Sequence, residues 1–322
     1  MTHAAAVTRR KDFLSVLDFD AADLERCLEI AARLKADRAL GLQAPTASAI
    51  RGHHVAMLFE KSSLRTRTTF EIAVRELGGD VIAVQPDVAL GQREPVADVA
   101  RNLERWVSAI VIRTFSQRVV EQFAASAPRL HVINALTDEE HPCQVVADFL
   151  ALRERWGSLR GRTVAYVGDG NNVAASLAHA SAMLGVNLHV ASPEGYQLPH
   201  AVVQQSTHAS QHGARLRLFN EPADAVAGVD AVYTDTWTSM GRELEAETRR
   251  TAFAAYQVNE DLLSFARPDA LFMHCQPAHI GEEVTAEVFE STASIVFDQA
   301  ENRLHGQKSL LLMLLAPGAA GL

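Results

Sequence analysis

Short apolar segments rich in valine and isoleucine alternate along the chain with segments of helical period, and this order constrains the fold more than any other feature. Parallel strands need long crossover connections, which helices supply, so the alternation predicts an α/β fold with mostly parallel sheets. The apolar segments are continuous, which indicates helices on both faces of each sheet. Strands are predicted at 54–59, 80–85, 109–114 and 131–135, and then in TVAYVGDG, NLHVASP, RLRLF, AVYTDTW, ALFMHC and SIVF.

Helices are predicted between the strands from their capping and terminating residues. They are expected at 20–36, 63–77, 95–106, 118–127, 142–156, 172–184, 202–212 and 301–315. The 142–156 helix has Pro142 at its first position and ends at Gly157, and we expect it to bridge two domains. The 301–315 segment is too short to cross a bilayer and is expected to pack on the body of the protein.

Length and composition describe a globular protein of roughly two domains. The chain has 322 residues and a formal net charge of −9, so nothing indicates a nucleic-acid or membrane partner. Cys27, Cys143 and Cys275 lack metal-binding spacing, which argues against a disulfide framework or a metal site. The N-terminal segment has no apolar signal region, so a cytoplasmic protein is expected.

A candidate anion site follows the first predicted strand, where Ser63, Arg65 and Thr66 open a helix. Unpaired N–H groups at a helix N-terminus, together with hydroxyl and guanidinium donors, form a cradle for phosphate or carboxylate. The alternative is an ordinary serine-capped helix with surface arginines. The position at the carboxyl end of a strand favours ligand binding.

Further polar residues follow other predicted strands. Arg113 ends one strand, and His141 and Gln144 stand three apart at the start of the 142–156 helix, so both can face one crevice. The alternatives are a surface arginine and a histidine that merely caps its helix. Cys275 follows another strand, where a buried cysteine is usually a small apolar residue.

The segment GDGNNV at 168–173 resembles a dinucleotide fingerprint but lacks its third glycine, because Val173 stands there. Asn171 and Asn172 instead suit a small polar ligand, or simply form a turn. No nicotinamide or other cofactor is expected. Since these polar clusters all follow sheet strands, we predict that they converge on one site.

The whole set of motifs resembles the aspartate/ornithine transcarbamylase superfamily, in its ornithine branch. The resemblance covers nearly the whole chain. The matching segments are SLRTR at 63–67, LGQRE at 90–94, HPCQ at 141–144, GDGNN at 168–172, DTWTSMG at 235–241, HCQPAHIGEEVT at 274–285 and VFDQAENRLH at 296–305.

The resemblance implies carbamoyl transfer from carbamoyl phosphate to the side-chain amine of ornithine, giving citrulline and phosphate, without a metal or cofactor. It implies a carbamoyl phosphate domain at 1–146 that includes the C-terminal helix at 301–322, and an amino-acid domain at 147–300. It also implies a homotrimer, or a multiple of trimers, with sites at subunit interfaces. The partners expected are small-molecule substrates.

The resemblance also assigns residues, position by position. The carbamoyl phosphate site would comprise Ser63, Leu64 through its backbone N–H, Arg65, Thr66, Arg113, His141, Gln144, Cys275, Gln276 and Arg303. The ornithine site would comprise Asn172, Asp235, Ser239 and Met240. The catalytic groups would be Cys275, His141 and Arg113.

These assignments agree with the chemistry that the reaction needs. His141 and Arg113 would stabilise the oxyanion that develops on the carbonyl oxygen. An alkyl amine with a pKa near 10.4 must lose a proton, which costs about 4.6 kcal/mol at pH 7. Cys275 would orient that amine or accept its proton.

Three positions depart from the family pattern: Leu64 replaces threonine, Ala89 replaces a polar residue that reaches a neighbouring subunit, and Gln276 replaces leucine. The first two would weaken carbamoyl phosphate binding, and Gln276 would change which amine is accepted. The alternatives are therefore an enzyme for another diamino acid such as lysine, a catalytically silent anion-binding paralogue, or neutral drift at these positions.

Overall fold

Two parallel sheets organise the molecule, which we describe from a computed structural model over residues 11–90, 93–239 and 241–320. The first sheet has the strand order β2-β1-β3-β4 and the second has the order β7-β6-β5-β8-β9. The first four strands are β1 (His54–Phe59), β2 (Asp80–Val84), β3 (Ala109–Arg113) and β4 (His131–Leu136). The other five are β5 (Thr163–Val167), β6 (Asn187–Ala191), β7 (Leu216–Phe219), β8 (Ala231–Thr234) and β9 (Leu271–His274).

Helices connect the strands in the predicted alternation. The first six are α1 (Ala21–Asp37), α2 (Leu64–Glu76), α3 (Pro86–Ala89), α4 (Val96–Leu103), α5 (Gln117–Ser126) and α6 (Pro142–Trp156). The others are α7 (Asn172–Leu184), α8 (His200–Ala209), α9 (Pro222–Val226), α10 (Ala246–Phe253), α11 (Glu260–Leu263), α12 (Ala286–Phe289), α13 (Val296–Leu315) and α14 (Pro317–Ala320). Short 3-10 segments lie at Val16–Asp18, Arg38–Gln43, Glu243–Glu245 and Ala254–Tyr256.

Both sheets are covered on two faces, as predicted. In β1, Val55 and Met57 enter one apolar core with α1 and α2, whereas Ala56 and Leu58 enter another with α4 and α5. Successive strand residues point to opposite faces, so this division shows helices on each side of the sheet. The second sheet is covered in the same way. Alternate residues of β5 enter the core formed with α7 and the core formed with α9 to α12.

The long helix α6 lies between the two sheets, and its predicted bounds are confirmed. Its residues from 142 to 152 are buried, because it packs against α13, α1 and α7. Helix α13 returns to the first sheet's helices α1 and α2. A Cβ added at Gly306 would stand 2.9 Å from Val146 Cγ1, so the glycine allows α13 to approach α6 closely.

The predicted strand at SIVF is wrong. Ala293 and Ile295 each make one backbone hydrogen bond to Phe272 in β9, and helix α13 then begins at Val296, earlier than the predicted start. The helical turn places Gln299 inside, where its side chain donates to Asp148 at 2.8 Å and accepts from the His274 N–H at 3.0 Å. The three apolar residues of SIVF could not reveal these long-range partners.

Several predicted ends also shift. The 95–106 helix is confined to Val96–Leu103, the 202–212 helix lies at His200–Ala209, and AVYTDTW is extended only through Thr234. The remaining predicted strands and helices are present with ends moved by a few residues. None of the helices in the described ranges has both the length and the apolarity needed to cross a membrane.

A buried histidine on α13 makes stability depend on pH. Burial lowers the pKa of His305 to about 4, and neither ring nitrogen has a hydrogen-bond partner. The unfolded chain binds a proton near pH 6.5 and the folded chain does not, so acidification favours unfolding. Between pH 7 and pH 5 we expect His305 to remove about 2 kcal/mol from the free energy of unfolding.

The measurement is urea unfolding at both pH values of the wild type and of His305→Gln. Acidification from pH 7 to pH 5 is expected to lower the free energy of unfolding of the variant by about 2 kcal/mol less than that of the wild type. His208→Gln, which changes an exposed histidine, is the control and should behave like the wild type. An equal pH dependence in all three proteins would contradict the prediction.

Candidate active site

A cleft of about 1140 Å³ opens at the carboxyl ends of the strands of both sheets. This is where parallel α/β sheets bind ligands. The predicted site residues that line it are Ser63, Leu64, Arg65, Thr66, Arg113, His141, Asn172, Asp235, Ser239, Cys275, Gln276 and Arg303. Gln144 lies directly behind the lining and accepts a hydrogen bond from Arg303. Met240 lies outside the described residues. The predicted convergence of the polar clusters that follow the strands is confirmed, since they line one cleft.

The N-terminus of α2 forms one wall of the cleft. Ser63 caps the helix, and its hydroxyl accepts a hydrogen bond from the Thr66 N–H at 3.2 Å. Leu64 points outward with 78 % of its surface exposed, so its side chain does not pack in the core. The Thr66 hydroxyl accepts from the Arg303 guanidinium, which joins this helix to α13. The serine cap and the predicted anion cradle therefore occupy the same helix N-terminus.

Four cationic side chains face this end of the cleft: Lys61, Arg65, Arg113 and Arg303. Arg113 and Arg303 are buried, and the Nε atom of each has no hydrogen-bond partner. Burial and the neighbouring charge of Arg303 lower the pKa of Arg113 to about 10, so Arg113 remains charged at pH 7. Two buried like charges with unused donors form a site for an anion.

His141 lies next to this cationic cluster. Its backbone N–H donates to the Ser176 hydroxyl at 2.9 Å, which fixes the start of α6, and its Nδ1 has no partner. Burial first, and then the charges of Arg303, Arg113 and Lys61, hold its pKa well below the usual value. The imidazole is therefore neutral at pH 7, and a neutral ring can donate one hydrogen bond to a carbonyl oxygen.

Asp235 forms the opposite, anionic end of the cleft. Its carboxylate accepts from the Cys275 thiol at 2.9 Å, the Asn171 side-chain amide at 2.8 Å and the Thr236 N–H at 2.8 Å. Among the described carboxylates that line the cleft, it is the buried one whose bonded partners are all uncharged. Its negative charge is thus available to a ligand ammonium group.

Cys275 behaves as a hydrogen-bond donor in this arrangement. Burial and the adjacent Asp235 charge raise the pKa of its thiol well above the usual value. The thiol is therefore protonated at pH 7. Of the two expected roles, orienting a ligand amine agrees with this geometry, whereas accepting a proton at sulfur does not.

The two asparagines of the GDGNN segment have different positions. Asn171 caps α7, since its side-chain oxygen accepts from the N–H groups of Val173 and Ala174, while its amide holds Asp235. The Asn172 amide donates to the Thr137 carbonyl on the first sheet's side of the cleft. The segment thus links the anionic end of the cleft to the cationic end.

A metal does not fit the buried group of three donor side chains at this end of the cleft. Ligand atoms of Asp235, His274 and Cys275 lie within 4.8 Å of one another. However, His274 Nδ1 accepts from the Gln276 N–H at 2.8 Å, and Nε2 lies 3.1 Å from the Glu283 carboxylate. Both ring nitrogens are therefore already engaged.

Lys61 and Arg249 are two of the cleft residues that the sequence analysis did not predict. Lys61 pairs with Asp138 and lies 4.2 Å from the centre of the Phe115 ring, and its position two residues before Ser63 was an available signal. Arg249 is buried and donates to Asp169 at 2.7 Å and to the Trp237 carbonyl at 2.8 Å. No motif surrounds Arg249, so only the folded chain reveals it.

Comparisons with known proteins cover almost the whole chain. A family described as "Aspartate/ornithine carbamoyltransferase, carbamoyl-P binding domain" matches residues 11–154, and its "Asp/Orn binding domain" matches residues 160–314. The ornithine carbamoyltransferase of Symbiobacterium thermophilum is 48% identical over 95% of this chain and 98% of its own. That of Acidothermus cellulolyticus is 48% identical over 97% and 99%. The solved ornithine carbamoyltransferase of Pyrococcus furiosus has a TM-score of 0.92 and 43% identity, over 98% and 99%.

Proposed function

The chain belongs to the aspartate/ornithine carbamoyltransferase family, and we propose that it transfers the carbamoyl group of carbamoyl phosphate to the side-chain amine of L-ornithine. The products are L-citrulline and phosphate. One observation carries this proposal: a buried cationic cluster around Arg113 and Arg303 faces a buried carboxylate, Asp235, across a single cleft. Carbamoyl phosphate is a dianion and the amino acid carries an ammonium group. Each substrate therefore needs an end of the cleft with the opposite charge.

The cationic end would bind carbamoyl phosphate. Arg65, the Ser63 cap and the N-terminal N–H groups of α2 would hold the phosphate, with Arg113 close by. Charged hydrogen bonds contribute about 1.5 to 3 kcal/mol each, so several are needed to desolvate a dianion. Neutral His141 and charged Arg113 would donate to the carbonyl oxygen and stabilise the oxyanion that forms there.

The anionic end would bind the amino acid. Asp235 would pair with the α-ammonium group of the amino acid, with Ser239 and Asn172 beside it. The Cys275 thiol would orient the side-chain amine that reacts. Arg113 and Arg303 favour the neutral form of the reacting amine, because a second cation close to them is destabilised. The amine lone pair then attacks the carbonyl carbon and forms the new C–N bond. The C–O bond to phosphate breaks, and the proton lost from the attacking nitrogen leaves with the phosphate.

A panel of amines tests the proposal. The protein is incubated with carbamoyl phosphate and either ornithine, lysine or a shorter diamino acid, and the ureido product is assayed. Product from ornithine at the highest kcat/KM is expected. Product from another amine alone would show that the substrate is a different diamino acid. No product with any amine would show that the protein binds anions without catalysis.

Arg249 is expected to position the amino-acid side of the cleft. Its bonds to Asp169, Trp237 and Glu245 hold together the two segments around Asn172 and Ser239. In Arg249→Met, we expect the KM for ornithine to rise about tenfold, because the unpaired Asp169 loosens both segments.

Steady-state kinetics at saturating carbamoyl phosphate measures this effect. Arg250→Met is the matched control, since Arg250 is the neighbouring arginine, 52 % exposed, and pairs with Glu247 and Glu282. The Arg250 variant should keep the wild-type KM. Equal KM values in both variants would show that Arg249 has no such role.

The assembly and location proposed for this chain are a trimer, or a multiple of trimers, in a reducing cytoplasm, with a part in arginine metabolism. Exposed apolar side chains near β1 and β2 support an interface there: Leu64, Ile82 and Val88. Cys27, Cys143 and Cys275 are free thiols, which suits a reducing compartment. Sedimentation equilibrium tests the assembly, and a mass of one chain would refute it.

A further inference from the structure

A hydrogen bond joins the two sides of the cleft at a position where the sequence departs from the family pattern. Arg65 Nε, at the start of α2, donates to Gln276 Oε1 at 3.1 Å. Gln276 follows β9, so its side chain comes from the opposite sheet. Leucine, the usual residue at this position in the family, has no atom that can accept this bond.

The backbone of Gln276 is held firmly. Its φ of +60° is an unusual conformation for a residue other than glycine, and it persists only where surrounding contacts enforce it. The Gln276 N–H donates to His274 Nδ1 at 2.8 Å, and His274 Nε2 lies 3.1 Å from Glu283 Oε1. His274 and Glu283 are fully buried. The backbone from which the Gln276 side chain extends to Arg65 is therefore fixed.

This bond leaves the phosphate-binding part of Arg65 free. The bond uses Nε. The two terminal nitrogens of the guanidinium therefore stay available for a pair of parallel hydrogen bonds to an anion. Arg65 is only half-buried, so without a partner its long side chain would sample several rotamers and lose that freedom on binding.

We propose that Gln276 is a positioning residue that holds the Arg65 guanidinium ready for the phosphate of carbamoyl phosphate. This inference rests on the proposed function and names a residue that acts through Arg65 rather than on the reacting atoms. It also changes the expectation that Gln276 selects the amine. Its side-chain oxygen is bonded to Arg65, on the carbamoyl phosphate side of the cleft.

The test is a double-mutant cycle on the full-length protein, with carbamoyl phosphate affinity measured by calorimetry in the absence of an amine. Gln276→Leu introduces the residue that the family usually has, so the backbone accepts it, and Gln276→Met keeps the length of the side chain. Each is expected to weaken carbamoyl phosphate binding about three- to tenfold, since Arg65 must then be ordered on binding. The KM for ornithine at saturating carbamoyl phosphate should change by less than about twofold.

The second arm of the cycle uses Arg65→Lys, which removes the Nε donor but keeps the charge. In this background, Gln276→Met should have no further effect on carbamoyl phosphate affinity, because the bond is already absent. A full-sized effect in that background, or unchanged affinity in the single variants, would overturn the proposal. So would a change of amine preference without a change in carbamoyl phosphate affinity.

Failure of the proposed function has a separate signature. A wild-type protein that forms no ureido product from any amine refutes the carbamoyltransferase activity. The calorimetric cycle needs no amine and still reports whether Gln276 acts through Arg65.

Discussion

Replacing Arg65 with alanine is expected to weaken carbamoyl phosphate binding about 10²- to 10⁴-fold, with little change in the thermal stability of the protein. Two charged hydrogen bonds to the phosphate are lost, and each contributes about 1.5 to 3 kcal/mol. The fold should tolerate the change, because Arg65 is only half-buried and its side chain bonds to Gln276 at the rim of the cleft. The buried Arg303 cannot be used in this way, since it joins α2 to α6 through Thr66 and Gln144.

Calorimetric titration with carbamoyl phosphate measures the loss, and thermal unfolding of the same samples confirms that the fold is intact. Arg75→Ala is the matched control. It removes an exposed arginine from the last turn of the same helix, away from the cleft, and should retain wild-type affinity. If Arg65→Ala binds carbamoyl phosphate as tightly as Arg75→Ala, the N-terminus of α2 is not the phosphate site.

Local sequence patterns were enough to predict several of the polar residues that line the cleft and the edge of the sheets at which it opens. Parallel strands place their carboxyl ends on one edge, so residues at or shortly after those ends come together, as Arg113 and His141 do on the first sheet. The same rule brings Asp235 and Cys275 together on the second sheet. The terminal residues also predicted both ends of α6 to the residue, because a proline begins the helix and a glycine ends it.

Pairings between distant segments were not predictable in this way. Arg249 bonds to Asp169 eighty positions earlier, and Gln276 bonds to Arg65 across the cleft. Nothing in the residues beside Arg249 or Gln276 specifies these partners. Packing within the second sheet's core brings Arg249 to Asp169, and packing of the two sheets around α6 brings Gln276 to Arg65. The same limit explains why SIVF was predicted as a strand, although Gln299 draws that segment into a helix.

Asp235→Asn is expected to lower kcat/KM for ornithine about 10²- to 10³-fold while carbamoyl phosphate affinity stays close to that of the wild type. In the proposed function the carboxylate charge attracts the substrate ammonium group, and loss of a buried charged partner costs about 2 to 5 kcal/mol. An asparagine also cannot accept all three of the present hydrogen bonds, because its amide nitrogen would face the donors of Cys275 or Asn171. Asp224→Asn, an exposed change in the second sheet's domain, is the control and should have normal kinetics.

The same variant reports on the state of the Cys275 thiol. The Asp235 charge helps to raise the pKa of this thiol, so its removal should lower that pKa and make alkylation of Cys275 faster at a given pH. Iodoacetamide labelling between pH 7 and pH 10, followed by mass spectrometry of the Cys275 peptide, measures the shift. Slower ornithine turnover together with faster alkylation would mean that one carboxylate both binds the substrate cation and keeps the thiol protonated. Slower turnover with an unchanged alkylation profile would show that Asp235 acts on the substrate alone.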